Sequence, residues 1–518
     1  MSDGSLRANY AKWKRATKAY VKRKIRRRAD ELLPSREIRE YGSWIRQRQI
    51  NRSTVYTRAP DPGLFSILTP VWNGSPVRYL RELAQSIATQ NSSGVSEWVV
   101  LDNGCSDGKV ISYLQELRAQ PGVMLIRSDE NLGITRGLRR CLEEASGRYV
   151  LPVDADDLLY PDALQVIATA VSEAGQPPLL YTDEDKVIGL RRYQPYFKPD
   201  WDPVLLLNSA YIAHLGVIDR ETALELGAYN DAAMEGSPDW DLFVRFLTAG
   251  YQAVHVPEVV YSWRVHASST ADDAASKPYI ASSQRAVLDR YLHAHPKGKL
   301  FEVEESPLLR GGAHWHFLRK KTDGRPYLTL VPRDLKQCRE TAQSLAEQDG
   351  LLCLLGEGLQ IDSVDWAWEA MGIMDLHPET AMVGARLRDS RGRILEAGFE
   401  FIRDGACVNP NRGKADMDPG YFGQIWKQRS VDAVSTRFAV IKARFLLELL
   451  TQLPAEASLE FLGAWAGLYA HEMRQRIVYS PFLSGTTELE WDQLVSDGER
   501  TAFGERLKTS LPSKGRRP

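Results

Sequence analysis

Thirteen residues from Val150 to Asp162 read VLPVDADDLLYPD. Three carboxylates, Asp154, Asp156 and Asp157, follow an apolar run, and Pro161 comes soon after. Asp and Pro are poor strand residues, so the run reads as a strand end that opens into a loop. Carboxylates crowded at such a place repel one another unless a positive charge lies between them. Hard oxygen donors suit Mg²⁺ or Mn²⁺, and such ions take one or two carboxylates from the protein and the rest from substrate phosphate and water. Asp-x-Asp at this position points to a site for a nucleotide diphosphate. The alternative is an Asx-turn or a helix cap, and Asp157 is the candidate cap for LLYPDALQVIATAV.

The elements that must position this cluster alternate in kind. LFSILTPVW is a short apolar strand and PVRYLRELAQSIATQ an amphipathic helix. EWVVLDNGCSDG, VMLIRSD and RYVLPVDADD read as strands, with KVISYLQELRAQ and ITRGLRRCLEEAS as helices between them. Alternation at this length gives parallel β/α units and an α/β sheet. Ligands of such sheets sit beyond the C-terminal strand ends. Trp72, Asp102, Asp154 and Asp156 all fall at such ends.

Composition bounds the class. The 518 residues, 43% hydrophobic and 26% charged, suffice for two or three domains. No apolar run approaches the roughly 20 residues that span a bilayer, and no secretory signal is visible. The five cysteines are widely spaced without a CxxC pair, which argues against zinc and a disulfide framework and for a cytoplasmic chain. Eleven Lys or Arg and no acid lie between Arg7 and Arg28. Taking residues 1–30 from the 66 basic and 67 acidic residues leaves the rest with 55 and 65. A mildly acidic body carrying a basic arm disfavours general nucleic-acid binding. The arm reads as a helix with Tyr10, Trp13, Thr17 and Tyr20 on one side. It suits an anionic membrane surface, at the inner face of the plasma membrane, or docking on the acidic body.

A repeat organises the second half. RELAQSIATQ (81–90) and RETAQSLAEQ (339–348) agree at seven of ten positions, each after a strand. In the second copy LLCLLGEGLQIDSVDW follows almost at once, which sets Gly356 against Asp154 and Gly358 against Asp156. The second copy has lost the middle of the motif-bearing half and both carboxylates, and reads as a non-catalytic relative of the first.

Residues 64–270 resemble the family 2 glycosyltransferases, which have the GT-A fold. SILTPVWNGS, with Pro70 and Trp72, is similar to the family's first-strand element, and VVLDNGCSDG to its D-(N/D)-G-S-x-D element with Cys105 in place of Ser. NLGITRGLRRCLEEASGRYVLPVDADD resembles the run into the metal motif. MEGSPDWDLFVRFLTAGY resembles the E-D-x-D-L element, with Pro238 where Glu is common, and YSWRVHASST the segment that closes the site. YTDEDKV, YFKPDW and YIAHLGV are further similar to bacterial members that build O-antigen or related polysaccharides, and VGARLRDSRGRILEAGF and DPGYFG to their second transferase domain.

The resemblance implies roles. Trp72 would stack on the nucleotide base, unless it is a core aromatic. Asp102 and Asn103 would bond the base or ribose, unless they only make a turn. Pro70 lines the same side, and Arg136 would neutralise the diphosphate. Asp154 lies near the ribose or metal and Asp156 on the metal, with His266 as a third ligand, a phosphate contact or a structural residue. Asp239 is the base that takes the acceptor's proton, or a helix N-cap, and a base opposite the leaving group implies inversion. Glu184 and Asp185, in an acidic loop, and Trp240 would bind the acceptor; the alternative for the acidic pair is a solvated turn.

The expected architecture is a basic helical arm (1–50), a GT-A domain (60–300), a degenerate, truncated GT-A-like domain (325–490) and a polar tail (491–518). The expected activity is inverting, Mn²⁺- or Mg²⁺-dependent transfer from a nucleotide-diphosphate sugar to a glycan or lipid-linked glycan. The rival is a sugar-nucleotide-binding scaffold that recruits partner transferases at the membrane. The second domain has surface for a homodimer or for such partners.

Overall fold

The strand β1 (Phe65–Val71) is buried almost throughout, as an apolar strand inside a parallel sheet must be. It belongs to a first compact unit formed by Met1–Asp200, Ile212–Ala232 and Tyr251–Asp273. The structure, a computed structural model, describes residues 36–57, 61, 63–90, 95–189, 191–266, 278–309, 314–322, 324–402, 404–488 and 495–510. The basic stretch 7–28 lies outside the described residues.

The chain runs through α1 (Arg36–Val55), β1, α2 (Val77–Ala88), β2 (Val95–Asn103), α3 (Gly108–Arg118), β3 (Val123–Ser128) and α4 (Gly133–Glu144). It continues with β4 (Tyr149–Pro152), β5 (Leu158–Leu159), α5 (Ala163–Glu173), β6 (Leu179–Ile188), β7 (Arg191–Tyr196) and α6 (Pro203–Asn208). Then come β8 (Gly216–Asp219), α7 (Arg220–Glu225), α8 (Pro238–Thr248), β9 (Val254–Arg264) and α9 (Pro278–Ala294). The sheet order is β3-β2-β1-β4-β8-β6-β9-β5, with β7 on β6. β3, β2, β1 and β4 are parallel, β8 is antiparallel to β4 and β6, and β6 and β9 are parallel. The strand order reverses between β1 and β4, so a crevice opens beyond their C-terminal ends. Helices meet the sheet through apolar stripes; α2 buries Leu80, Leu83 and Ala84, spaced i, i+3, i+4.

α1 is part of this unit. The Arg52 guanidinium, 1% exposed, donates to both oxygens of Asp162 and to the Val259 carbonyl. Arg48 pairs with the buried Glu258, and Tyr41 donates to Asp185 at 2.8 Å. The helix thus crosses the expected boundary at residue 50, because its last turns carry the arginines that neutralise buried acids of the unit.

The second unit comprises Trp201–Tyr211, Ala233–Gly250 and Ala274–Pro518, so α6, α8 and α9 count with it. This differs from the expected division at 300. Its later elements are β10 (Phe301–Glu305), β11 (Trp315–Arg319), β12 (Tyr327–Leu330), α10 (Leu335–Ala346), β13 (Leu351–Leu355), β14 (Gln360–Ile361) and α11 (Trp366–Leu376). β15 (Thr380–Arg388) and β16 (Ile394–Glu396) follow, with a ribbon of β17 (Glu400–Phe401) and β18 (Cys407–Val408). β19 (Arg429–Val431), β20 (Phe438–Lys442), α12 (Ala443–Gln452), α13 (Leu462–Glu472), β21 (Arg476–Thr486) and α14 (Asp497–Ser510) complete it.

The sheet order here is β12-β13-β20-β15-β21-β14, with β16 on β15. Strand by strand it repeats β1-β4-β8-β6-β9-β5 with β7 on β6. The directions repeat too: parallel, antiparallel, antiparallel, parallel, antiparallel. The first unit's β2 and β3 have no counterpart, which is the loss of the middle section that the repeat predicts. The stretch read as a polar tail instead holds α14, whose Phe503 and Leu507 are buried in the core. Two apolar residues four apart dock this otherwise polar helix, together with the fully buried Glu499, which accepts from the Trp465 indole and the Ser458 N–H.

Candidate functional site

The turn after β4 carries the acidic cluster. The Asp157 N–H donates to the Asp154 carbonyl, and the Val153 N–H and C=O are held by the Leu68 carbonyl and the Thr69 hydroxyl of β1. The Asp154 side chain is 52% exposed and that of Asp156 29%. Asp157 differs from both in its burial. It is buried, accepts from the Tyr261 hydroxyl at 2.5 Å and the Arg264 N–H at 2.7 Å, and is not the cap of α5, which is Asp162. Burial first, then the charges of Asp154 and Asp156, push the Asp157 carboxyl well above the usual range.

The end of β9 fastens onto this turn. His266 Nε2 lies 2.5 Å from Asp156 Oδ2, and the Arg264 guanidinium donates to the Asp156 carbonyl at 2.5 Å. Arg264 also sits 4.3 Å over the Tyr79 ring and 2.8 Å from Glu82. His266 thus joins the predicted metal residue from more than 100 positions away.

His214 was not singled out from sequence, although it sits in the quoted YIAHLGV. Its ring stacks flat on Tyr261 at 4.9 Å, with Nε2 3.8 Å from Asp154 and Nδ1 3.5 Å from Glu184. Burial favours the neutral imidazole, but Asp154 and Glu184 outweigh it and hold its pKa well above the ordinary value. Ligand atoms of Asp154, Asp157 and His214 all lie within 4.8 Å of one another. Carboxylates and imidazoles are donor types that fit a divalent cation; here Asp157 is committed to Tyr261 and Arg264, which leaves Asp154 and Asp156, with His214 and His266 beside them, as the accessible carboxylates. The sequence reading grouped Asp154 with Asp156 and His266; the structure pairs Asp156 with His266 and Asp154 with Asp157 and His214.

At the neighbouring strand ends, Trp72 is 55% exposed, so it is not a core aromatic. Pro70 faces Gly137 of α4. Asp102 is 2% exposed, accepts from the Cys105 N–H at 2.9 Å and pairs with Arg127 at 3.0 Å. Asn103 accepts from the Leu132 N–H and donates to the Gly133 carbonyl, which ties the end of β2 to the start of α4. Both side chains therefore shape the wall of the crevice, and Asn103 is a clamp rather than an open donor–acceptor. Gly104 supplies the turn at φ +68, where a Cβ would lie 2.5 Å from the Asn131 N atom. Arg136 is exposed, with Nε donated to the Leu132 carbonyl.

Three sequence expectations are corrected by burial. TDEDK is no loop but the middle of β6. Glu184 is 7% exposed and bonded to the buried Lys198 at 3.0 Å. Burial opposes its charge, but Lys198 and His214 hold its pKa down at about 2. Asp185 accepts from Tyr41 and Tyr160, and burial raises its pKa to about 6. Trp240 is 2% exposed and donates to the Leu206 carbonyl at 2.7 Å, so its indole is fixed in the second unit. A charged stretch in a strand escapes sequence reading when its partners, here Lys198, Tyr41 and Tyr160, come from distant segments.

Asp239 lies in the first turn of α8, half-buried. The N-cap of that helix is Ser237. Asp241 is buried and bonded to Arg245 and Arg290, a different environment from that of Asp239.

Comparison with known proteins bears on this crevice. Residues 66–194 match the family described as Glycosyl transferase family 2. The protein y4gI of Sinorhizobium fredii is 26% identical over 513 residues, covering 84% of this chain and 56% of that protein. The O-antigen biosynthesis protein RfbC of Myxococcus xanthus is 29% identical over 244 residues, covering 46% of this chain and 19% of RfbC. This chain thus spans between about a fifth and just over half of these relatives' lengths. Among solved structures, that of S. aureus TarS 1-349 in complex with UDP-GlcNAc aligns at 20% identity and a TM-score of 0.38, covering 45% of this chain and 66% of that one. Trp72, Asp102, Asp154 and Asp156 fall inside the matched stretch, and His214, Asp239 and His266 beyond it. The strands β1 and β4 that flank the crevice thus lie in the stretch, residues 66–194, that matches the family 2 glycosyltransferases.

Proposed function

We propose that this chain is an inverting, metal-dependent glycosyltransferase that moves a sugar from a nucleotide-diphosphate sugar to a growing glycan, such as lipopolysaccharide O-antigen or capsule. One observation carries the reading. In a family 2 domain rich in buried, paired acids, Asp154 and Asp156 alone in the acidic turn keep solvent-accessible side chains, at the strand switch point. The relative RfbC, an O-antigen biosynthesis protein, supports the acceptor class.

In this reading Trp72 offers its ring to the base, against a wall set by Pro70, Asp102 and Asn103. Arg136 faces the diphosphate. Asp154 and Asp156 would hold Mn²⁺ or Mg²⁺, with His266 orienting Asp156, and the ion would stabilise the departing diphosphate as a Lewis acid. Asp239 takes the acceptor hydroxyl's proton as that oxygen attacks the anomeric carbon, a role assigned from the resemblance of MEGSPDWDLF. Attack opposite the leaving group inverts the centre. Residues 7–28 would rest the enzyme on the inner face of the plasma membrane; among the described residues no helix is long and apolar enough to cross it. The second unit would serve contacts to a second copy or partner transferases.

The test is release of nucleoside diphosphate from a panel of sugar nucleotides with Mn²⁺ or Mg²⁺. Turnover that chelation stops, and that Asp156→Asn and Asp239→Asn abolish while donor binding survives in the latter, supports the enzyme. Binding of sugar nucleotide without turnover in the wild type would instead leave the scaffold.

A further inference from the structure

The second unit has a cleft of about 450 Å³ between β11, α11 and the bulge of β21. That volume is in the range of small-ligand sites. Its apolar lining is Leu318, Val364, Trp368 and Phe482. Val364 is 94% exposed and Leu318 39%, so this apolar surface is open to solvent.

The charges around it cancel. Lys321 pairs with Asp365 at 2.6 Å, Lys320 lies 3.6 Å from Glu302, and Arg319 donates to Asp375 at 2.7 Å. Beneath them His316 is stacked on Phe482 and bonded to Glu369 at 2.8 Å. A nucleotide or phosphate site would present uncommitted cations, and here each cation already has an acid.

The corresponding place in the first unit is filled. In the first unit the corresponding N-cap, Asp162, and the corresponding bulge residue, Glu258, are covered by Arg52 and Arg48 of α1. In the second unit the N-cap is Asp365, and Phe482 occupies the bulge. Lys321, just beyond β11, pairs with the N-cap as Arg52 of α1 does in the first unit, and beside that pair lies the aromatic cleft.

We infer that this cleft binds an uncharged carbohydrate. A pyranose presents an apolar C–H face, which suits Trp368 and Leu318, and a rim of hydroxyls, which suits Glu302, Asp365 and the lysines. The choice of ligand class rests on the glycosyltransferase reading, since such a site would hold a stretch of glycan away from the transfer centre.

The test uses the full chain and four disaccharides as probes: maltose, lactose, cellobiose and chitobiose. Saturation-transfer NMR and tryptophan fluorescence give Kd. Binding of at least one probe is expected, weakened about tenfold or more by Trp368→Ala and by Val364→Asp. The second change sits on an exposed residue and spares the fold. Binding should be indifferent to UDP with Mn²⁺. No binding by any probe, binding untouched by both substitutions, or displacement by UDP with Mn²⁺ would overturn the inference. Turnover without disaccharide binding would fail this inference alone; binding without turnover would fail the transferase reading alone.

Discussion

Arg52 grips Asp162 with two donors, Nε at 2.8 Å and Nη2 at 2.9 Å, across 110 positions of sequence. The guanidinium is 1% exposed, so α1 is a structural part of the first unit rather than a loose arm. Replacing one partner of such a pair leaves a buried charge uncompensated. Arg52→Met should destabilise the protein by about 3–5 kcal/mol, read as a lower urea midpoint with an unchanged slope. A double change, Arg52→Met with Asp162→Leu, should recover much of that loss.

His266 lies within hydrogen-bonding distance of the half-buried Asp156, with the Tyr79 ring 5.3 Å from its own. An imidazole in that position orients the carboxylate. His266→Ala should lower apparent Mn²⁺ affinity about 10–100-fold, measured by titrating metal against donor turnover, with little effect on thermal stability. An unchanged metal requirement would remove His266 from the site.

The family motifs made the crevice legible, because strand ends and the Asp-x-Asp turn are local in sequence. Placing Trp72, Asp154 and Asp156 at those ends needed no tertiary information. The repeat was equally readable, and the missing β2 and β3 follow from the short gap after Gln348. Glu184, Asp185 and Trp240 were misread because their burial depends on Lys198, Tyr41, Tyr160 and Leu206, which no spacing connects to them. His214 was missed because its meaning comes from the Tyr261 ring beneath it and the carboxylates at either nitrogen.

The adjacent acids of β6 respond to pH in opposite senses. Glu184 titrates at about 2, below its ordinary 4.5, so its contribution is present above pH 4.5 and lost as pH falls toward 2. Asp185 titrates at about 6, above its ordinary 3.8, so the folded state holds a proton that the unfolded chain has released. Stability from Asp185 is therefore full below 3.8 and falls as pH rises through 6. Relative to Asp185→Asn, the wild type should lose about 2–3 kcal/mol between about pH 4 and pH 7. Urea unfolding at both pH values measures this, and a flat difference would refute the buried, protonated state.

Lys198 carries the charge that keeps Glu184 ionised. It is fully buried, donating to Glu184 and to the Thr182 and His214 carbonyls. Lys198→Met should cost about 3–5 kcal/mol. It should also displace His214, which faces the same Glu184 oxygen, so residual folded protein should show weakened metal binding. Loss of stability without that change would separate the scaffold from the site.

Gly463 ties the expected inactivity of the second copy to packing. Counting from the helix N-cap, Ser237 in α8 and Phe461 in α13, Gly463 takes the place of Asp239. A Cβ there would lie 1.9 Å from the Val434 carbonyl oxygen, which is backbone and cannot swing aside. The first turn of α13 is therefore packed against the backbone between β19 and β20, at the helix position where the first copy carries a carboxylate. Gly463→Ala should destabilise by about 1–3 kcal/mol or more, and Gly463→Asp further, because a buried carboxylate adds its own desolvation cost. Neither change, even combined with Gly356→Asp and Gly358→Asp, should create a second turnover site in an Asp156→Asn background. Thermal unfolding tests the first expectation and nucleoside-diphosphate release the second. A well-folded Gly463→Asp chain with restored turnover would show that the second copy lost only its side chains and not the space for them.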